Sequence, residues 1–265
     1  MPGHGNHRNP HPSLNPWEPG GLIPGRNREL LELGTGNLEL SQAAADLRYL
    51  LSRGYPRKAG LDLVGNRYQL DHTARQILHR GVFSPDAARA RREKLRLLRD
   101  AAGRPLGLDG HNVLITLECA LRRLPLVAAD DGFIRDVGQV SRHFRASPET
   151  DQALELLAAY LAQAPAGPVS VYYDAPLSLS GELARHTREI WNSRGLTVEA
   201  AAVPVPEREL LTFPGPIASS DTHLLDAREE IVDLAGEIIR REMEQGRHFR
   251  IITLSGDNSP AYAKT

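Results

Sequence analysis

Three short apolar runs in this chain each end in an aspartate, and that repetition limits the fold more than any other feature. Leu106-Gly107-Leu108 runs into Asp109-Gly110-His111-Asn112, and the apolar, helix-compatible Val113-Leu114-Ile115 follows. This reads as a buried strand, a tight turn and a helix start. Val169-Ser170-Val171-Tyr172-Tyr173 ends in Asp174, and Ile217-Ala218-Ser219-Ser220 ends in Asp221. Short, β-branched runs suit buried parallel strands. In open α/β sheets, ligands bind beyond the carboxyl ends of the strands. The three aspartates are therefore expected to converge on one edge, where clustered carboxylates support divalent-metal chemistry.

The remainder of 104–265 alternates in type. Strands are expected at 106–108, 126–129, 169–173, 197–203, 216–218 and 249–254. Helices are expected at 113–123, 149–164, 181–193 and 231–244. That alternation predicts an α/β domain with a mostly parallel sheet. Residues 38–103 read instead as a small all-helical domain. Leu40, Ala44, Leu47, Leu50 and Leu51 recur at helical spacing, with Ser41 as a candidate N-cap and Gly54-Tyr55-Pro56 as a stop. A further helix is expected over about 70–81, and Ser84-Pro85 opens another that runs to about 102. Residues 1–37 are rich in Pro, Gly, Asn and His without any period, so a disordered tail is expected there.

Net charge is −1 over 265 residues, but its distribution is uneven. Residues 41–104 hold 14 Lys+Arg against 6 Asp+Glu, and residues 105–265 hold 15 against 23. A basic half joined to an acidic one suggests an anionic partner for the first half. A nucleic acid would be such a partner, with Arg89, Arg92, Lys94, Arg96 and Arg99 as the grip. Arg-rich helices that are merely solvated would give the same count. Oligomeric state is not legible.

The one cysteine, Cys119, excludes an internal disulfide and thiolate zinc clusters. It lies in an apolar helical stretch and reads as core. No basic-then-apolar leader is visible and no apolar run approaches the roughly 20 residues that span a bilayer. A cytoplasmic protein without membrane contact is expected. There is no Walker loop, GxGxxG or HExxH, so an organic cofactor and zinc lack support.

Carboxylate and water oxygens suit Mg²⁺ or Mn²⁺. Asp109, Asp174 and Asp221 are the candidate ligands, assisted by Asp130 or Asp131, with Glu118 and Asp136 as further candidates for a fourth acid. Asn112 could orient a carboxylate, a water or a phosphate oxygen, and Ser219, Ser220, Thr222, Ser178 and Ser180 flank the same edge. Each acid also has a local alternative. Asp109 could simply form an Asx-turn, Asp221 could be a helix N-cap, and Asp136 could pair with Arg135 or Arg142.

At Leu108-Asp109-Gly110-His111-Asn112-Val113, Tyr173-Asp174 and Ser219-Ser220-Asp221 the chain resembles the PIN-like superfamily, especially its NYN and YacP-like branch. Over about 38–240 it also resembles the uncharacterised domain of unknown function 434 family, through Asp46-Leu47, Arg53-Gly54-Tyr55 and Val64-Gly65-Asn66-Arg67-Tyr68. The first resemblance implies a three-layer α/β/α domain over 104–265 with a PIN-like sheet. It also implies a Mg²⁺- or Mn²⁺-dependent ribonuclease that hydrolyses phosphodiesters with metal-activated water. Asp109, Asp174 and Asp221 match its acidic positions, and Asn112 closes the Asp-Gly-x-Asn motif as a further catalytic candidate. Ser180-Gly181 and the stretch 130–136 depart from the superfamily pattern. The alternatives are an inactive PIN-like module that binds nucleic acid or protein, and a small-molecule phosphoryl hydrolase.

Overall fold

The computed structural model describes residues 38–138, 147–164, 167–177 and 179–254. The expectations for residues 1–37, Arg142 and Ser178 fall outside them. Helices α1 (Leu38–Ser52), α2 (Arg57–Arg67), α3 (His72–Gly81) and α4 (Pro85–Lys94) form the N-terminal helical part. Asp71 caps α3 by accepting from Ala74 N, and Ser84 caps α4 by accepting from Ala87 N with Pro85 behind it. Ser41 is not a cap, because α1 starts three residues earlier, at Leu38. The helix opened by Ser84 also stops short of 102. It gives way at β1 (Leu95–Arg96), followed by a 3₁₀ turn over Leu98–Ala101.

The α/β part contains β2 (Leu106–Asp109), α5 (Gly110–Leu121), β3 (Leu126–Ala128), β4 (Ile134–Asp136) and α6 (Pro148–Gln163). Then come β5 (Val169–Asp174), α7 (Ser180–Ser193), β6 (Val198–Val203), α8 (Pro206–Leu211) and β7 (Ile217–Ala218). The chain ends with α9 (Thr222–Ala227), β8 (Ile231–Val232), α10 (Leu234–Glu244) and β9 (Ile251–Thr253). Residues 231–232 are thus a strand, not the first turn of the helix expected over 231–244.

Six strands form one sheet in the order β1-β8-β7-β2-β5-β6, with every pair parallel. From β2 the chain steps outward to β5 and β6, then returns to the other side of β2 for β7 and β8. The edge beyond β2 is therefore a topological switch point. Alternating side chains define the two faces. Ala218, Val232, Val171 and Tyr173 pack with α5, α6, α7 and α10, whereas Ile217, Ile231 and Tyr172 pack with Leu210, Phe213, Leu224 and Leu225. Helices thus cover both faces, giving three layers. Gly107 fits the second face because a Cβ there would meet Phe213 and Leu210 at about 3 Å.

A second sheet, β4-β3-β9, joins this domain to the helical part. Leu126 packs into the main core, while its neighbour Val127 packs with Leu47, Ile77, Leu78, Ile252 and Leu254. The closest approach is at Gly81, where a Cβ would lie 2.6 Å from Val127 Cγ2. No helix among the described residues is long and apolar enough to cross a membrane.

Candidate active site

Strand register brings the expected aspartates to one edge. Leu108 pairs with Val171 on one side and Ala218 on the other. Asp109 therefore stands level with Tyr172 and beside Ser219, with Asp174 and Asp221 each two residues further along their chains. Gly110 lets α5 start close over β5, since a Cβ there would meet the Tyr173 ring at 2.5 Å. Asp109 caps α5, accepting weakly from Asn112 N at 3.4 Å, and its Oδ2 accepts from Ser219 Oγ at 2.8 Å. Ser219 Oγ also accepts from Asp221 N at 3.0 Å. The Asn112 carboxamide oxygen accepts from both Ser220 N and Ser220 Oγ.

Asp221 caps α9 through His223 N and Leu224 N, all on its Oδ1. Asp174 is more open than Asp109, at 37% of its side chain against a buried carboxyl, with its Oδ2 3.1 Å from His111 Nδ1. The same ring nitrogen accepts from Asp174 N at 3.0 Å. The two local alternatives, turn and cap, thus describe what Asp109 and Asp221 do within the chain. Neither uses up the whole carboxylate of Asp221.

Burial drives the Asp109 carboxyl up to about 7. The Ser219 hydrogen bond opposes this, Asp174 adds to it, Asn112 N–H opposes it and Asp221 adds again. Such a group lacks nearby positive charge. The donor chemistry and this excess of negative charge suit a hard divalent cation. Among the described residues, no group of three or more His, Cys, Asp or Glu is closed around one point, so the carboxylates are not pre-set as a complete ligand set.

The other acids are engaged elsewhere. Asp130 takes a two-pronged pair from Arg48, with both contacts at 2.8 Å, and accepts from Phe83 N. Asp131 is fully buried between Arg135, at 2.7 and 2.9 Å, and Arg91, at 3.2 Å. It touches the site only through Arg135, whose Nε donates to Ser220 O at 2.9 Å. Asp136 pairs with Arg80 at 2.6 Å. Glu118 is buried against Thr150 Oγ1 at 2.6 Å, with its carboxyl pushed up mainly by burial. The local alternative foreseen for Asp136 thus holds in kind, with Arg80 in place of Arg135.

Of the expected RNA grip, Arg92 and Lys94 bind carbonyls of the α/β part, whereas Arg89 and Arg99 stay largely exposed, at 66% and 79%. Arg89 pairs with Asp86, Arg92 donates to the Asp130 carbonyl, and Lys94 donates to the carbonyls of Leu225 and Asp226. Arg96 donates to Glu93 O, and Arg99 lies 4.0 Å from Asp100. What the sequence did not suggest is a pocket of about 350 Å³ beside the acidic edge. Asn112, Ser220, Asp221 and Thr222 line one side, and Arg57, Arg80, Phe83, Arg91 and Arg135 line the other. Those arginines lie on four separate elements, so no local signal could have grouped them.

Residues 98–237 match the family model described as "Domain of unknown function (DUF5616)", and residues 39–94 match "Protein of unknown function (DUF434)". The second match bears out the resemblance read over the helical part. The α/β part matches a model of its own, and the two meet where α4 gives way to β1. The chain is also 30% identical over 204 residues to "Uncharacterized protein MJ0935" of Methanocaldococcus jannaschii, covering 76% of this chain and 97% of that protein. No solved structure matches.

Proposed function

We propose that this chain, which belongs to the family described as "Domain of unknown function (DUF5616)", is a metal-dependent ribonuclease with a PIN-like sheet, acting in the cytoplasm. One observation carries the reading. A buried carboxyl, Asp109, stands at the switch point of a parallel sheet, flanked by Asp174 and by Asp221, and Asp221 in turn lines an arginine-walled pocket. Perturbed carboxyls in such places mark functional sites. Asp109, Asp174 and Asp221 would hold Mg²⁺ or Mn²⁺, which supplies Lewis acidity and an acidified water when bound.

The chain's own residues do the rest. Ser219 orients Asp109 by donating to Oδ2 and fixes the start of α9 by accepting from Asp221 N. Asn112 holds the 219–220 segment through Ser220, and Arg135 holds it from the other side. The strand ends are therefore braced across the edge, which keeps the reacting phosphodiester in one geometry. Asp109→Asn is expected to abolish RNA cleavage in Mn²⁺ while leaving RNA affinity within about twofold. Full cleavage by that variant would remove Asp109 from the mechanism.

A second reading has its own support. The pocket falls in the size range of small-ligand sites, about 300–1,000 Å³, and Arg91 and Arg135 in its wall are buried and paired with Asp131. A small phosphate ester is the substrate on that reading. Turnover of p-nitrophenyl phosphate without RNA cleavage would favour it.

A further inference from the structure

Three guanidinium groups crowd one aromatic ring on the wall facing the acidic edge. The guanidinium carbons of Arg57, Arg91 and Arg135 lie 4.6, 4.5 and 5.2 Å from the centre of the Phe83 ring. The ring face attracts each cation, but the cations repel one another. For two of them the balance is settled by carboxylates. Arg135 and Arg91 share the buried Asp131, and Arg91 also grips Asp226 at 2.7 and 2.8 Å. Both are nearly inaccessible, with 3% and 6% of their surface exposed, so they cannot swing away.

Arg57 is different. Its hydrogen bonds go to His79, at the ring Nδ1 and the carbonyl, and it has no carboxylate partner among the described residues. It is half-buried, and burial, followed by Arg91 and Arg135, lowers its guanidinium to about 10. A second group in the same wall is also unsatisfied. Arg80 Nη2 binds Asp136, but its buried Nε makes no hydrogen bond among the described residues. Arg57, with no carboxylate partner, and Arg80, with one donor unfilled, thus line the same pocket as Asn112, Ser220 and Asp221.

We propose that this pocket seats a phosphoryl group of the substrate, with Arg57 and Arg80 donating to its oxygens and Arg91 and Arg135 forming a fixed positive wall. Guanidinium forks match phosphate oxygens in both geometry and charge. The helical part then supplies half of the substrate site, through Arg57, Arg80 and Arg91, rather than a remote grip along α4. The inference rests on the acidic edge being a phosphoester-hydrolysing centre only in taking the phosphate to be the substrate's.

The test is calorimetric titration of the full chain in EDTA with two probes, inorganic phosphate and a 5′-phosphorylated oligoribonucleotide. Arg57→Ala is expected to weaken both at least tenfold. Arg57→Gln, which keeps a donor toward His79 but loses the charge, is expected to do the same. Arg185→Ala, an exposed residue paired with Glu189, is expected to change neither. Prebound phosphate should compete with the oligonucleotide. Each variant's melting midpoint reports whether it is folded. Affinities unchanged in both folded Arg57 variants, or no phosphate binding by the wild type, would overturn the proposal. Phosphate binding that does not compete with RNA would assign the pocket to a free ion and overturn it equally. RNA cleavage by the wild type in Mn²⁺ is read separately from phosphate binding in EDTA, so failure of the pocket and failure of the nuclease reading give different results.

Discussion

Asp109→Asn should stabilise the protein at alkaline pH, and the effect should vanish in acid. The Asp109 carboxyl ionises near 3.8 in the unfolded chain and near 7 in the fold. Below pH 4 both states hold the proton and nothing is lost. Between pH 4 and 7 the unfolded state releases its proton while the folded state keeps it, so stability falls as pH rises. Above pH 7 the loss is complete. A difference of about three pH units, at about 1.4 kcal/mol each, comes to about 4 kcal/mol. The asparagine carboxamide still accepts from Asn112 N but loses the Ser219 hydrogen bond, which takes back about 1 kcal/mol. The net gain at pH 8 is about 3 kcal/mol. At roughly 2–4 °C per kcal/mol for chains near this length, Tm rises by roughly 6–12 °C. At pH 5 the carboxyl's penalty is only about 2 kcal/mol, and the lost bond cuts the net gain to about 1 kcal/mol. Thermal unfolding by circular dichroism in EDTA at pH 5 and pH 8 measures both. A variant no more stable than wild type at pH 8, or equally stabilised at both values, would refute the argument that this carboxyl is held at an electrostatic cost.

Ser219→Ala removes the hydrogen bond that opposes the rise of Asp109, so the acidic limb of the pH–rate profile should move to higher pH; an unmoved limb would detach Ser219 from the titrating group. Asp131→Asn leaves Arg91 and Arg135 buried without their shared carboxylate. Removing one partner from such a cluster costs about 3–5 kcal/mol, and a wild-type midpoint in urea would contradict that.

What the sequence made legible was local. A short apolar run, an aspartate and a following apolar helix placed β2, Asp109 and α5, because turn signals and Asx capping act within a few residues. The Ser84-Pro85 helix start was legible for the same reason. The two-residue strands were not. Leu95–Arg96 continues an arginine-rich helical pattern, and Ile231–Val232 precedes a helix, yet the two pair in parallel. No period can be read from two residues, so only the neighbouring strand decides. The acids divide similarly. Asp130 and Asp131 look alike in sequence, yet Asp130 pairs with Arg48, 82 positions away, while Asp131 is held by its neighbour Arg135 and by Arg91, 40 positions away.

The uneven charge of the two halves takes on a different meaning in the fold. Arg48, Arg80 and Arg91 all come from the basic half, and Asp130, Asp136, Asp131 and Asp226 all come from the acidic half. Much of the charge that suggested an anionic partner is thus matched across the internal boundary. Buried ion pairs add little net stability, since desolvation offsets their attraction, but they penalise any docking that breaks them. The apolar contact at Val127 and Gly81 joins the two parts, and the pairs select one orientation. That orientation carries Arg57, which makes no ion pair among the described residues, to the rim of the acidic edge. Part of the positive charge left over after internal pairing is therefore placed beside Asp221 and Asn112.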